Sequence, residues 1–139
     1  MNDSILTSVK KLLGIAEECT DFDLDIVMYI NSTLMVLTQM GVGDEGGYFI
    51  TGADETWQDY LGEKAHTISA IAPYVAAKVR LMGFDPPSSS TGMEALKNTV
   101  AELEWRLYSA YNFSEEKPDD AEENTDTTDS TDKTEGTEE

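Results

Sequence analysis

The residues equipped for chemistry are few. His66 and Cys19 are the single histidine and single cysteine of the 139-residue chain. They stand in different segments, and neither has a serine or carboxylate placed around it as in a catalytic triad. His66 reads as a surface residue near a helix start, and Cys19 as a small apolar side chain beside a cap. Glu102 and Glu104 lie two apart on a helical stretch and project in different directions. Gly41-Val42-Gly43-Asp44-Glu45-Gly46 matches GxGxxG letter for letter. It follows a helical run, opens no helix, and carries two acids that would repel a pyrophosphate, so it reads as a loop. Asp21-Phe22-Asp23-Leu24-Asp25 has the opening spacing of a calcium loop. Ile26 stands where the turn glycine belongs, however, and Ser32 where the bidentate glutamate belongs. Three acids in a first helical turn favour the macrodipole without any metal. The expectation is no catalytic set, no cofactor and no metal, hence no enzyme.

What remains suits contacts between chains. Lys78, Arg80 and Arg106 are rare bases in an acidic body. Their simplest role is pairing within the chain, Arg80 with Asp85 or a neighbouring carboxylate; the sharper one is pairing with a carboxylate on a partner. Trp57, Tyr60, Trp105, Tyr108 and Tyr111 divide between core and interface. Trp105 lies two past the apolar position Leu103 and points away from that seam, which makes it the leading candidate for an intersubunit anchor.

The elements that position these residues are helical. Tyr74 to Tyr111 reads as a helical hairpin around Asp85-Pro86-Pro87. Asp85 precedes proline and is pushed out of the right-handed helical region, and the two prolines offer no amide donors. Thr91 followed by Glu94 is the spacing of a capping box. Met93, Leu96, Val100, Leu103, Leu107 and Ala110 then step by three and four residues as a packing seam. Earlier, Asp3 or Ser4 caps a first helix whose face is Ile5, Leu6, Val9, Leu12 and Leu13, ended by Gly14 with Ile15 following. A second helix runs from Thr20, boxed by Asp23, to Gly41. Its polar residues Asp25, Asn31, Ser32, Thr38 and Gln39 occupy one narrow strip. Apolar residues including Phe22, Ile26, Ile30, Leu34, Met35 and Met40 cover the rest, more than a small core demands. Either this helix is central or its surplus face meets another subunit. Tyr48-Phe49-Ile50 allows one short strand. Asp54 caps a short helix carrying Trp57, Tyr60 and Leu61 and closed by Gly62. A fourth helix spans about 64 to 82, with Ile68, Ile71, Val75, Val79 and Met82 buried and Pro73 kinking it.

Composition sets the outer limits. The net charge is −19. From Ser114 onward twelve acids face only Lys117 and Lys133, with no aromatic or branched aliphatic residue, and such a tail cannot offset its ordering entropy. Two segments follow: an all-α body over 1–113, of four main helices plus one short helix, and a disordered acidic tail over 114–139. A lone cysteine forms no internal disulfide. The first apolar run is broken by Lys10 and Lys11 and is too short for a signal peptide or membrane span, so the chain reads as intracellular and its glycosylation-like triplets at Asn2, Asn31 and Asn112 as chance. So acidic a surface is ill suited to gripping duplex DNA.

Taken in order, these stretches resemble the head–tail connector (adaptor) family of tailed bacteriophages. The resemblance is carried by Ile5-Leu6 to Lys10-Lys11-Leu12-Leu13-Gly14-Ile15, by Phe22-Asp23-Leu24-Asp25-Ile26 leading to Asn31, and by Gln39-Met40-Gly41-Val42-Gly43 and Thr56-Trp57. It continues through Tyr74-Val75, Lys78-Val79-Arg80-Leu81 and Asp85-Pro86-Pro87-Ser88-Ser89 to Glu102-Leu103-Glu104-Trp105-Arg106-Leu107. Gly83, between Met82 and Phe84, and Pro73 depart from the family pattern. The resemblance implies a structural virion protein at the head–tail interface, assembled in the host bacterial cytoplasm. It implies a homo-oligomeric ring, a dodecamer, beneath the portal protein, which extends the DNA channel and receives a stopper or tail-completion protein. Double-stranded DNA would pass through without specific binding, helped by an acidic lining. Two roles stay open for the tail: ordering on the portal, or only keeping free subunits soluble. The rival reading is an acidic DNA mimic that inhibits a nucleic-acid-binding partner; it would need acids spaced like phosphates on a folded surface.

Overall fold

A computed structural model describes residues 3–112, with the side chains of His66 and Ile68 left out. The described chain is all-α: α1 (Ile5–Leu12), α2 (Asp23–Gln39), α3 (Trp57–Leu61), a 3-10 turn (Gly62–Thr67), α4 (Ile68–Met82) and α5 (Ser90–Asn112). The expected acidic tail lies outside the described residues. α4 is the hub, packing against α1, α2 and α5. Its Ile71, Tyr74, Val75 and Val79 are buried against Ile5 and Val9 of α1, Ile26, Ile30, Leu34 and Leu37 of α2, and Val100 and Leu107 of α5.

Helix ends follow one device. At the ends of α1, α2 and α4 the chain closes with paired backbone bonds onto the last turn, and an apolar residue follows: Ile15, Val42 and Phe84 respectively. At α4 the amide of Gly83 reaches the Arg80 carbonyl at 3.2 Å and that of Phe84 reaches Val79 at 3.3 Å. Gly83 has φ +138°, a conformation that disfavours any side chain. The departure from the family pattern is therefore the device that ends the helix. Pro73 lies within an unbroken α4 and is exposed.

Several starts differ from the sequence expectation. α2 begins at Asp23, without a side-chain cap, because the Asp23 carboxylate turns to Lys10 at 2.8 Å instead of folding back over its own helix. α3 is capped by Thr56 with Asp59 in a full capping box, not by Asp54. Glu55 accepts from the amide and hydroxyl of Thr51, at 2.8 and 2.6 Å, and that tight turn delays the helix. The α-helix expected from Lys64 is 3-10 up to Thr67. α5 starts at Ser90, with the Ser89 hydroxyl accepting from the Gly92 amide at 3.0 Å. The serine run thus offers a cap two residues before Thr91, and the Thr91–Glu94 box is not used. Along α5, Val100 and Leu107 are buried and Met93, Leu96 and Leu103 half-buried, but Ala110 is exposed. The inward place at that end goes to Tyr111, whose hydroxyl is 3.0 Å from the Thr67 hydroxyl.

No strand forms at Tyr48-Phe49-Ile50. The Asn31 side chain takes both backbone groups of Ile50, donating to its carbonyl at 2.9 Å and accepting from its amide at 2.7 Å. A strand neighbour would have made those same two bonds, and a helix supplies them instead. Within the glycine-rich stretch, a side chain at Gly43 would meet the Tyr60 ring at 2.7 Å, so the middle glycine of the apparent nucleotide fingerprint is a packing requirement.

Lys10 is the least expected core member. Its side chain is buried, and its ammonium donates to the carbonyls of Glu17 (3.1 Å) and Cys19 (2.6 Å) while pairing with Asp23. One cation thus fixes the whole α1–α2 connection. Lys10→Met should lower stability by about 3 kcal/mol, because two carbonyls and a carboxylate lose their partner. Lys11→Met, at an exposed position, should change it by less than about 0.5 kcal/mol. Urea unfolding of the two variants checks both values.

Candidate interaction surface

The predicted contact residues part into three groups. Trp57 and Tyr60 are buried within the protomer, Trp57 completely, so the structure removes them from any surface in this conformation. Their apolar bulk fills the space under the loop after α2, and the Tyr60 hydroxyl points at the Val42 carbonyl. Burial pushes the Tyr60 hydroxyl pKa well above its usual value, with Tyr111 adding to the shift. At the corner after α4, Arg80 lies 3.7 Å from Asp85, the intramolecular pairing expected for it. Asp85 itself has φ +47°, outside the right-handed helical region as its proline neighbour demands. Pro86 is exposed and Pro87 half-buried.

The third group shares α5. Trp105 is 69% exposed and Tyr108 50%, and residues three apart on a helix are neighbours on one face. Arg106 beside them is held by Glu102 one turn earlier. Tyr111 is half-buried, with the Lys64 ammonium 5.2 Å above its ring. Trp105 therefore stands clear of its own core, where its offset from Leu103 places it.

A second open face was foreseen as a surplus but not residue by residue. On α2, Leu24 is 75% exposed, Met28 62% and Met35 64%. Spacings of four and seven put the three on one stripe, and exposed Phe49 extends it through a cleft shared with Met35 and Asn31. Leu24, Met28 and Phe49 carried no polar signal to draw notice. The arithmetic of apolar positions could have found them, since a helix with one neighbour buries only one side. α2 and α5 both pack on α4 and meet each other only marginally, at contacts such as the Asn112 amide on the Met40 carbonyl (3.1 Å), so the two apolar faces belong to separate sides of the hub.

Between the faces lies a polar tie that sequence spacing did not reveal. Glu104 accepts from the Tyr74 hydroxyl at 2.9 Å and from Lys78 at 2.8 Å, linking α4 to α5. Glu102 points outward to Arg106, so the two acids do face apart. Burial pushes the Glu104 carboxyl up, but the bonds from Lys78 and Tyr74 outweigh it and leave the pKa lowered. Burial, joined by the Glu104 charge, drives the Tyr74 hydroxyl upward. Among the described residues no group of three or more His, Cys, Asp or Glu is placed to hold a metal, and no helix is long and apolar enough to cross a membrane.

The described helical body thus leaves two apolar faces uncovered, on α2 and on α5. Among protein families, a model described as phage connector protein matches residues 5–114, and the chain belongs to that family. The match covers the described body and ends where the acidic tail begins. The chain matches no curated protein and no solved structure. Phage connectors are structural proteins of the virion that join head to tail components, and are not known as enzymes.

The Glu104 tie has a pH signature. Its folded pKa is depressed, so its contribution is present above the unfolded carboxyl pKa and is lost as pH falls through the folded one. Glu104→Gln should cost about 1 kcal/mol at pH 7 and progressively less in acid, the difference fading below the folded pKa, which itself lies under the ordinary glutamate value of about 4.3. Urea unfolding of wild type and variant at pH 7 and in acid measures the difference.

Proposed function

We propose that this connector assembles as a homo-oligomeric ring beneath the phage portal, extends the DNA channel, and presents the platform for the stopper or tail-completion protein. The observation that carries the reading is the pair of uncovered faces, α2 on one side of the hub and Trp105 with Tyr108 on the other. One copy cannot hide them, and a ring of copies would. A dodecamer, formed in the host bacterial cytoplasm and retained in the virion, is the arrangement the family resemblance suggests. The strongly acidic chain suits a lumen through which DNA slides without sticking, since phosphates find few cations to neutralise them. A DNA mimic would instead need acids spread over its outer face, where α2 presents leucine and methionine.

Trp105→Ala tests the reading. The side chain is mostly outside the core, so the fold should keep its stability to within about 0.5 kcal/mol, while association weakens at least about 30-fold, as for a hot-spot residue worth about 2 kcal/mol. Sedimentation across a concentration series, alone and with purified portals, together with a search for annular particles in negative stain, reads the assembly. A variant that unfolds as a monomer would place Trp105 in the core and remove its role as an anchor.

A further inference from the structure

The protomer is divided by charge along the same line that divides its apolar faces. From Leu12 to Glu63, the part holding α2 and α3, there are eleven acids and no lysine or arginine. From Lys64 to Asn112, the part holding α4 and α5, five lysines and arginines stand against four acids. The α2 stripe of Leu24, Met28 and Met35 has Asp21 and Asp25 alongside it, and Glu45 near Phe49. Beside Trp105 and Tyr108, Glu102 and Arg106 pair with each other, so that face is close to neutral, and exposed Lys97 lies two turns earlier on the helix.

A face pairing with its own kind would set the acids of α2 against those of a second α2, at contact range and in a drying environment. Pairing unlike faces removes that repulsion, because it sets the acids of α2 against a face on which Glu102 and Arg106 neutralise each other. It also matches shapes: flexible methionines adapt to an indole and a phenol ring, and sulfur contacts to aromatics are favourable. Two unlike patches on separate sides of a hub give a heterologous contact, which closes into a ring or runs on, whereas a like-with-like contact would stop at two. We infer that the Leu24–Met28–Met35 face of one copy receives the Trp105–Tyr108 face of the next, so assembly is head-to-tail with its polarity set by the acidic half meeting the nearly neutral half. This rests on the ring reading above and adds the identity of the two surfaces.

Two variants that each spoil one face test it. Met28→Asp and Trp105→Asp change exposed positions, and urea unfolding should show both folded. Each alone should associate at least tenfold more weakly than wild type. Met28→Asp keeps a sound α5 face and Trp105→Asp a sound α2 face, so an equimolar mixture has one good contact and nothing left to extend it. The mixture should form a one-to-one heterodimer and nothing larger. The experiment is run under whichever conditions assemble the wild type, alone at up to about 1 mM, where contacts of millimolar Kd are visible, or on portals. The inference is overturned if either variant assembles as well as wild type, or if the mixture stays monomeric while wild type assembles. A wild type that stays monomeric under every condition overturns the ring reading and the inference together. Should a variant fail to fold, Met35→Asp or Tyr108→Asp replaces it on the same face with the same expected outcome.

Discussion

Residues 3–112 hold material to surround one helix, and that limit shapes the protein. α4 is the helix surrounded: Ile71, Tyr74, Val75 and Val79 are buried, with α1, α2 and α5 packed around it. Every other helix then has one neighbour-facing side and one outward side. A small domain buries a smaller share of its surface than a large one, so an outward side must be polar or be covered by another chain. α5 meets the condition over most of its length with Glu94, Lys97, Asn98 and Glu102. α2 does not, and neither does the turn of α5 that bears Trp105 and Tyr108.

The hub alone would leave its neighbours free to slide, since apolar contact is non-directional. Three polar ties remove that freedom, one for each connection the apolar core leaves loose. Lys10 gathers Glu17, Cys19 and Asp23 and sets how α1 gives way to α2. Asn31 holds Ile50 and so anchors the long loop after α2 to that helix. Glu104, through Tyr74 and Lys78, sets the register of α5 on α4. Each tie acts where an unpaired group would be costly, so each penalises wrong arrangements more than it adds to the right one. The two outward faces inherit their positions from these ties. A shifted α5 would carry Trp105 to a different bearing from the α2 stripe.

Much of this was legible in the sequence because it rests on local rules. Helical spacing gave the five helices and the outward bearing of Trp105, and Gly14 with Ile15 marked a helix end by a rule that needs no tertiary knowledge. The helix starts were less legible. Cap signals are cheap and numerous here, and the choice among Thr20, Asp23, Asp54, Thr56, Ser89 and Thr91 was settled by competition between them, through a partner in another helix where Lys10 drew Asp23 away from a capping box and through near neighbours at Thr56 and Ser89. Lys10 and Asn31 were hidden for a related reason. Both read as ordinary surface residues, and their partners lie seven or more positions away in irregular backbone that periodicity cannot place. Lys10 does fall one turn after Leu6, so its helical phase points inward; its charge argued the other way, and the loop carbonyls decided the matter. Trp57 and Tyr60 were ambiguous as aromatics always are, being suited equally to a core and to an interface.

Exposed apolar faces favour indiscriminate contact, and the charge of the chain opposes it. The chain carries −19, and like charge keeps copies apart at distances where apolar contact exerts no pull. At 0.15 M salt that repulsion reaches about 8 Å, so it acts as a barrier to approach more than a penalty on a finished contact. Burial acts only once water is displaced, at roughly 25 cal/mol per Å². The balance therefore favours contacts that are large, well matched and locally short of acid-on-acid pairs. With Asp23 the one acid of residues 12–63 seen paired to a base, a joint between α2 halves meets the most repulsion, and one between an α2 half and an α5 half meets the least. The uneven placing of charge thus opposes contact between like α2 halves and least opposes the unlike contact inferred above.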